Sequence, residues 1–372
     1  MRVCGHATQG PLFHRVAYGC ASTPPLMAMV VRPADLRADR ELLIDFLFQH
    51  LTPLSDGRRF DWLYCGNPHG PARAWVVVEG DSGAIAGAAA AFPRRLSVQG
   101  AETLGCVLGD FCIHPRYRSL GPALQLQRAC LETMDSGSLA FGYDFPSTSM
   151  VAVYKRLRIE PCAQMLRLAK PLRADRKIAE KLRIRPVARS LSVISNLALE
   201  WRDRGLHPKD AASISAQEEA CGEEFSALAR QVSAGYGICV ERSAGYLNWR
   251  YRAHPHRRHE ILTARREGAL VGYLIFTLRG EDASIVDLFG FEETEILGSL
   301  IAHAADVLRG RGVITVSAPI LASHPRVALF ERMGFRARES VPVLLYTPSG
   351  HGAAQNAAAV PPWFLMDGDR DS

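Results

Sequence analysis

Asp110-Phe-Cys-Ile-His-Pro-Arg-Tyr-Arg-Ser-Leu-Gly-Pro-Ala-Leu-Gln-Leu-Gln127 begins as an extended apolar segment and turns sharply into a helix. Arg118, Gly121 and Ala123 fall at the turn. A helix start carries unpaired backbone N–H groups and the positive end of the dipole, so it can hold a phosphate. Gly121 removes a side chain where a ligand would approach the backbone. Pro122 suits the first helical turn, where its missing N–H has no internal partner to lose. Leu124, Leu126 and Ala129 then carry the apolar side inward. On these residues alone, two readings stand level: an anion-binding strand–turn–helix, or an ordinary turn of an α/β domain.

Outward from this stretch, the chain repeats itself. Trp62-Leu-Tyr64-Cys-Gly-Asn67-Pro68 precedes a strand, a tight turn, Ala84-Ile-Ala-Gly87 and a second strand. Trp249-Arg-Tyr251-Arg-Ala-His254-Pro255 precedes the same series ending in Ala269-Leu-Val-Gly272. Repetition over more than thirty positions points to a duplicated domain. The turns at Gly80-Asp-Ser-Gly83 and Glu267-Gly268 predict an antiparallel pair early in each copy. Asp110 corresponds to Asp287, and Tyr154 to Phe330. After 286 the pattern predicts helix 293–308, strand 313–317, helix 325–333 and strand 341–346.

Arg118-Ser-Leu-Gly121-Pro-Ala123 resembles the Arg/Gln-x-x-Gly-x-Gly/Ala signature of the GCN5-related N-acetyltransferases, the GNAT superfamily. The resemblance covers residues 29–165 and 215–346. It implies a mixed α/β (α+β) fold of two GNAT-like domains, each a mixed, mostly antiparallel sheet flanked by helices. The expected division is an extension over 1–28, a first domain with the acyl-CoA site over 29–168, and a basic helical connector over 169–214. A degenerate second domain over 215–347 and a tail over 348–372 follow. The implied reaction moves an acetyl or other small acyl group from coenzyme A to an amine, without a metal.

Phe111, Cys112 and Ile113 are then expected to line the pantetheine arm. Arg116, Arg118, Ser119, Leu120, Gly121, Pro122 and Ala123 are expected to hold the pyrophosphate. Tyr154 takes the place of the family's proton donor to the leaving thiolate, and Phe330 has no proton to give. Asp110 is a candidate base on the central strand, although Asp287 matches it in the other copy and favours a structural role equally. Asn67, Tyr143, Asp144 and Ser147 are the acceptor-side candidates. Arg158-Ile159 departs from the family's Gly-Phe. In the second copy Glu292, Glu293 and Glu295 occupy the helix start that would receive phosphate, so one coenzyme A site per chain is expected.

Composition narrows the alternatives. An apolar content of 48% supports sizeable cores, and no apolar run is long enough to span a bilayer. Nine scattered cysteines without a CxxC pair suit a reducing compartment, hence a cytoplasmic expectation. Cys4, His6, His14 and Cys20 match no compact metal site.

Residues 170–189 hold eight basic and two acidic residues, and this excess of six equals the net charge of the chain. The stretch lacks aromatics to stack bases, so no nucleic acid is expected. Its alternating apolar residues allow at most peripheral contact with anionic lipid, against a plain solvated connector. A small-molecule or sugar amine is the expected acceptor, with a protein acceptor also open. Two other readings remain: an aminoacyl-tRNA-dependent transferase resembling the peptidoglycan-bridge enzymes, and a non-catalytic acyl-CoA-binding protein. The apolar run Pro361-Pro-Trp363-Phe-Leu-Met366 is expected to dock back onto the body.

Overall fold

A computed structural model describes residues 29–80, 83–118, 120–181, 185–206, 208, 212–348 and 363–370. The extension 1–28, with its Cys/His set, and Ser119 lie outside the described residues. The first half runs β1 (Met29–Pro33), α1 (Arg40–His50) and α2 (Gly57–Phe60), then a π-turn over Asp61–Cys65. It continues with β2 (Arg73–Glu79), β3 (Ile85–Val98), β4 (Ala101–Ile113), α3 (Leu120–Asp135), β5 (Gly142–Asp144), α4 (Thr148–Arg156) and β6 (Ala163–Pro171). Helices α5 (Asp175–Lys181) and α6 (Arg185–Arg204) connect the halves.

The second half follows a similar order with one strand more: β7 (Ser213–Gln217), α7 (Glu223–Ser233), the added β8 (Ile238–Val240), α8 (Ala244–Leu247) and a π-turn over Asn248–Arg252. There follow β9 (His259–Arg266), β10 (Ala269–Arg279), β11 (Asp282–Gly290), α9 (Thr294–Gly310), β12 (Thr315–Leu321), α10 (Arg326–Arg332) and β13 (Arg336–Tyr346). The tail adds β14 (Trp363–Phe364).

The two halves build one continuous sheet in the order β1-β2-β3-β4-β5-β13-β6-β12-β11-β10-β9-β7. The sequence suggested a separate sheet for each copy. Instead the last strands are exchanged: β13 pairs with β5, while β6 pairs with both β12 and β13. Local periodicity cannot register this, because a strand's pattern specifies which face is buried and not which neighbour it takes.

Burial on both faces explains the Ala-rich β3. Ala88, Ala90 and Phe92 pack with Leu43 and Leu47 of α1, while Ala89 and Ala91 meet Leu126 and Cys130 of α3. A strand covered on both faces reads as a continuous apolar run rather than an alternation. The β9–β10 hairpin turns through Glu267 and Gly268, both at positive φ (52° and 83°), the conformation of the turn that matches strand twist.

The repeated tryptophans meet each other. Trp62 Nε1 donates to the Trp249 carbonyl at 2.8 Å, and Trp249 Nε1 returns the bond to Trp62 at 3.0 Å. Their rings stack with centroids 5.0 Å apart. The motif therefore joins the halves across a local two-fold.

The tail is a second join. Along 363–366, Trp363 and Leu365 enter the core of the first half, while Phe364 and Met366 enter that of the second. This is the period-2 alternation of a strand between two cores. Beyond it, Asp369 meets the buried guanidinium of Arg242 at 2.9 Å, which also holds Asp287 at 3.0 Å.

Three imidazoles, two buried (His259 and His324) and one half-buried (His254), make an acid-stability prediction. Burial first, then neighbouring arginines, pushes His254 down to about 2, and burial with Arg250 pushes His259 to about 3. Burial and Arg326 push His324 to about 3. In the unfolded chain an imidazole titrates near about 6.5, so between these values the unfolded state binds more protons. The stabilisation is complete above that pH and is lost as pH falls. The melting midpoint by circular dichroism should drop by several degrees from pH 7 to pH 5; a flat profile would contradict the neutral, buried assignment.

Candidate active site

Strands β4 and β5 pair in parallel at only two positions, Cys106 with Gly142 and Val107 with Tyr143. Beyond them the strands part, and a cavity of about 280 Å³ opens between Gly109, Asp110 and Phe111 on one side and Asp144 and Ser147 on the other. A bulge shapes this wall: Ala88 pairs with Cys112 and Ala90 with Gly109, so Asp110 and Phe111 together face Ala89. Asp110 adopts φ 49°. That left-handed conformation costs a non-glycine residue roughly 1–2 kcal/mol, so it needs support from its surroundings.

Arg59 supplies the support, donating to both carboxylate oxygens of Asp110 at 2.7 Å, and the Tyr64 hydroxyl adds a bond at 2.8 Å. Asp110 is 4% exposed. Its oxygens are already engaged, which suits a carboxylate that anchors the bulge and leaves it poorly placed to take a proton. Arg242 and Asp287 repeat the pairing in the second half, the structural reading that their correspondence had suggested.

The helix start of α3 lies just beyond β4. Arg116 and Arg118 are exposed there, and neither pairs with a carboxylate among the described residues. A Cβ on Gly121 would meet nothing within 4 Å. Two uncommitted cations beside an open helix start fit a pyrophosphate. Ala123 turns inward beside Tyr154 and Leu344, while Phe111 and Ile113 are partly buried on β4. Burial lifts the Cys112 thiol to about 12, so it is not a nucleophile. At the corresponding start of α9, Glu292 pairs with Arg326 and Glu293 with Arg266. Internal carboxylates take the place that an anion would need.

Tyr154 is fully buried in α4. Its hydroxyl donates to Asp144 at 2.7 Å and accepts from Gln127 at 3.0 Å. Burial first, then Asp144, holds the phenol well above its usual range, so it stays protonated. Asp144 and Gln127 line the cavity, and Tyr154 stands behind them. Arg158 takes φ 62° where the second half has Gly334 at φ 87°, so the turn after α4 survives the loss of glycine.

The other acceptor candidates separate. Ser147 lines the cavity and caps α4 through Met150 N. Tyr143 is buried with its hydroxyl on the Asp369 carbonyl at 2.8 Å. Asn67 is buried too: its amide donates to the Pro93 carbonyl and its oxygen accepts from His69 N. Neither lines this cavity or the one adjoining it. Position 67 matches 254 because each caps a turn, His254 Nδ1 accepting from the backbone of His256 and Arg257.

A second cavity, about 260 Å³, adjoins the first through Leu51 and Asp110. Arg59 comes from the first half, and His254, His256 and Arg257 from the second. His256 Nε2 lies 3.0 Å from the Asp56 carboxylate. His256, Arg257 and Asp56 carry no signal in the sequence because the site is joint: no single copy contains it. Arg370 of the tail also reaches the first cavity.

Residues 57–161 match the family model described as the acetyltransferase (GNAT) domain. No curated protein matches the chain. Among solved structures, a probable N-acyltransferase from Enterococcus faecalis V583 superposes with a TM-score of 0.62 at 13% identity, covering 86% of this chain and 72% of that one. N-myristoyltransferase from Saccharomyces cerevisiae, solved with myristoyl-CoA, gives 0.56 at 12% identity, covering 87% and 80%. Eis1 from Mycobacterium abscessus gives 0.57 at 14% identity, covering 88% and 76%. Among the described residues no helix is long and apolar enough to cross a membrane, and no group of His, Cys, Asp and Glu side chains forms a metal site. The parted strands, the bulge and the open helix start thus belong to a chain with a GNAT-like fold, of which residues 57–161 match the GNAT domain model.

Proposed function

We propose that the chain transfers an acetyl or other short acyl group from coenzyme A to an amine. The parting of β4 and β5 beside the open α3 start carries this reading, because an extended pantetheine arm and an anionic pyrophosphate need those two features together. Gly121, Arg116 and Arg118 would hold the phosphates, and the strand around Phe111–Ile113 would take the arm. Acyl-CoA supplies an activated thioester. The acceptor enters from the joint cavity, and that cavity's mixed origin gives the second half a role without a cofactor site of its own. A volume near the lower end of ligand pockets favours a short acyl group.

An attacking amine must be neutral. His256, oriented by Asp56, is the proposed proton acceptor, since Asp110 is committed to Arg59. Tyr154 is the proposed donor to the leaving thiolate, its O–H bonded to Asp144 until the hydroxyl turns. A phenol above its usual range gives a proton to a thiolate uphill, so the gain is modest.

Thiol release from acetyl-CoA over a panel of amines tests the reading. Tyr154→Phe should keep the fold and slow transfer about 10²-fold, the low end of general acid catalysis, with a smaller loss for a more acidic leaving thiol. A loss independent of the thiol would reduce Tyr154 to a support for Asp144. No thiol release with any amine, despite coenzyme A binding, would favour the non-catalytic reading.

A further inference from the structure

Helix α6 is turned inside out. Its inner side is polar: Asn196 bonds the Ala174 N–H at 2.7 Å and the Asp175 carboxylate at 3.1 Å. Asp203, 3% exposed, pairs with Lys170 at 3.1 Å and with Arg309. Its apolar side faces out. Val187, Leu191, Ile194 and Trp201 are 52%, 42%, 64% and 80% exposed, with Val193 and Leu197 at 59% and 60% beside them. The 187, 191, 194, 201 spacing places one stripe along the helix. Single exposed apolar residues are ordinary, but a continuous stripe marks a contact surface.

The neighbouring charge identifies what it contacts. Helix α5 and the adjoining strand edges enclose a cavity of about 520 Å³ lined by Arg167, Arg173, Arg176, Lys177, Arg279 and Arg338, of which Arg167, Arg173, Arg176 and Arg279 pair with Glu339, Asp175, Asp282 and Asp367. Lys177 and Arg338 make no ion pair among the described residues. Arg173 also lines the groove between α6 and α9, so the basic cavity and the helix adjoin. The whole formal charge excess of the chain resides in this connector. We propose that α6 is an interfacial helix that lays its apolar stripe into an anionic membrane surface, with the α5 cavity taking lipid headgroup phosphate.

A second copy of the chain fits less well, because a two-fold contact through α6 would set one basic connector against another. An apolar stripe with Trp at its edge and Arg/Lys beside it is the composition of a helix lying in the plane of a bilayer interface.

The full chain provides its own probe. Of its five tryptophans, Trp62, Trp75, Trp249 and Trp363 are at most 8% exposed, leaving Trp201 to respond. With vesicles of equal parts phosphatidylcholine and phosphatidylglycerol, emission should shift to the blue, become protected from iodide, and the protein should co-sediment. Vesicles of phosphatidylcholine alone should bind far less. Ile194→Glu or Leu197→Glu, each at an exposed position and therefore harmless to folding, should weaken binding at least about tenfold by removing apolar burial and adding charge. Lys177→Glu combined with Arg338→Glu should weaken binding to the anionic vesicles and flatten its salt dependence. No emission change and no co-sedimentation would overturn the proposal. So would a lipid-independent doubling of mass by sedimentation that Ile194→Glu abolishes, which would assign the stripe to a second copy.

Discussion

Deleting residues 361–372 should leave a chain that no longer folds as a unit. Trp363, Phe364, Leu365 and Met366 are at most 3% exposed. Burying such a side chain contributes roughly 1.5–3 kcal/mol, so losing four exceeds or rivals the whole stability of an ordinary domain. The deletion also removes Asp369 and leaves Arg242, 1% exposed, with only one of its two carboxylates. Asp369→Asn isolates the polar part of the effect: it weakens the charge-assisted bonds to Arg242, worth about 1.5–3 kcal/mol, while Asp287 still pairs that guanidinium. The expected result is aggregation of the truncated chain and a lowered melting midpoint for Asp369→Asn. A truncated protein that stays monomeric and melts at the full-length temperature would show that the tail is a passenger.

The tail also shows what the sequence could and could not reveal. Its apolar run was legible as a segment that must be covered, yet alternation between two cores required knowing that the halves share one sheet. The strand–turn–helix at Gly121 and the carboxylates at the start of α9 were readable because each is local in sequence. The β6/β13 exchange was not, since strand partners are a property of the assembled sheet.

The same distinction runs through the site. Asp110 could be found but not interpreted, because the role depends on Arg59, fifty-one residues away along the chain. Asn67 was misplaced because a polar residue that changes identity between copies reads as ligand-facing, whereas Asn67 and His254 both cap turns. His256, Arg257 and Asp56 had no sequence signal at all: they become a site only where the two copies meet.

The proposed single acyl-CoA site in the first half should be lost through one glycine. Titration calorimetry of the intact chain with coenzyme A should give one site. Gly121→Trp should abolish the measurable heat while leaving the melting curve intact, because the Cβ at 121 points into open space and the fold has nothing there to clash with. The contrary result would be two equivalent sites in the wild type, or undiminished affinity in a folded Gly121→Trp protein. Either would move the cofactor away from the α3 start and take the proposed transfer reaction with it.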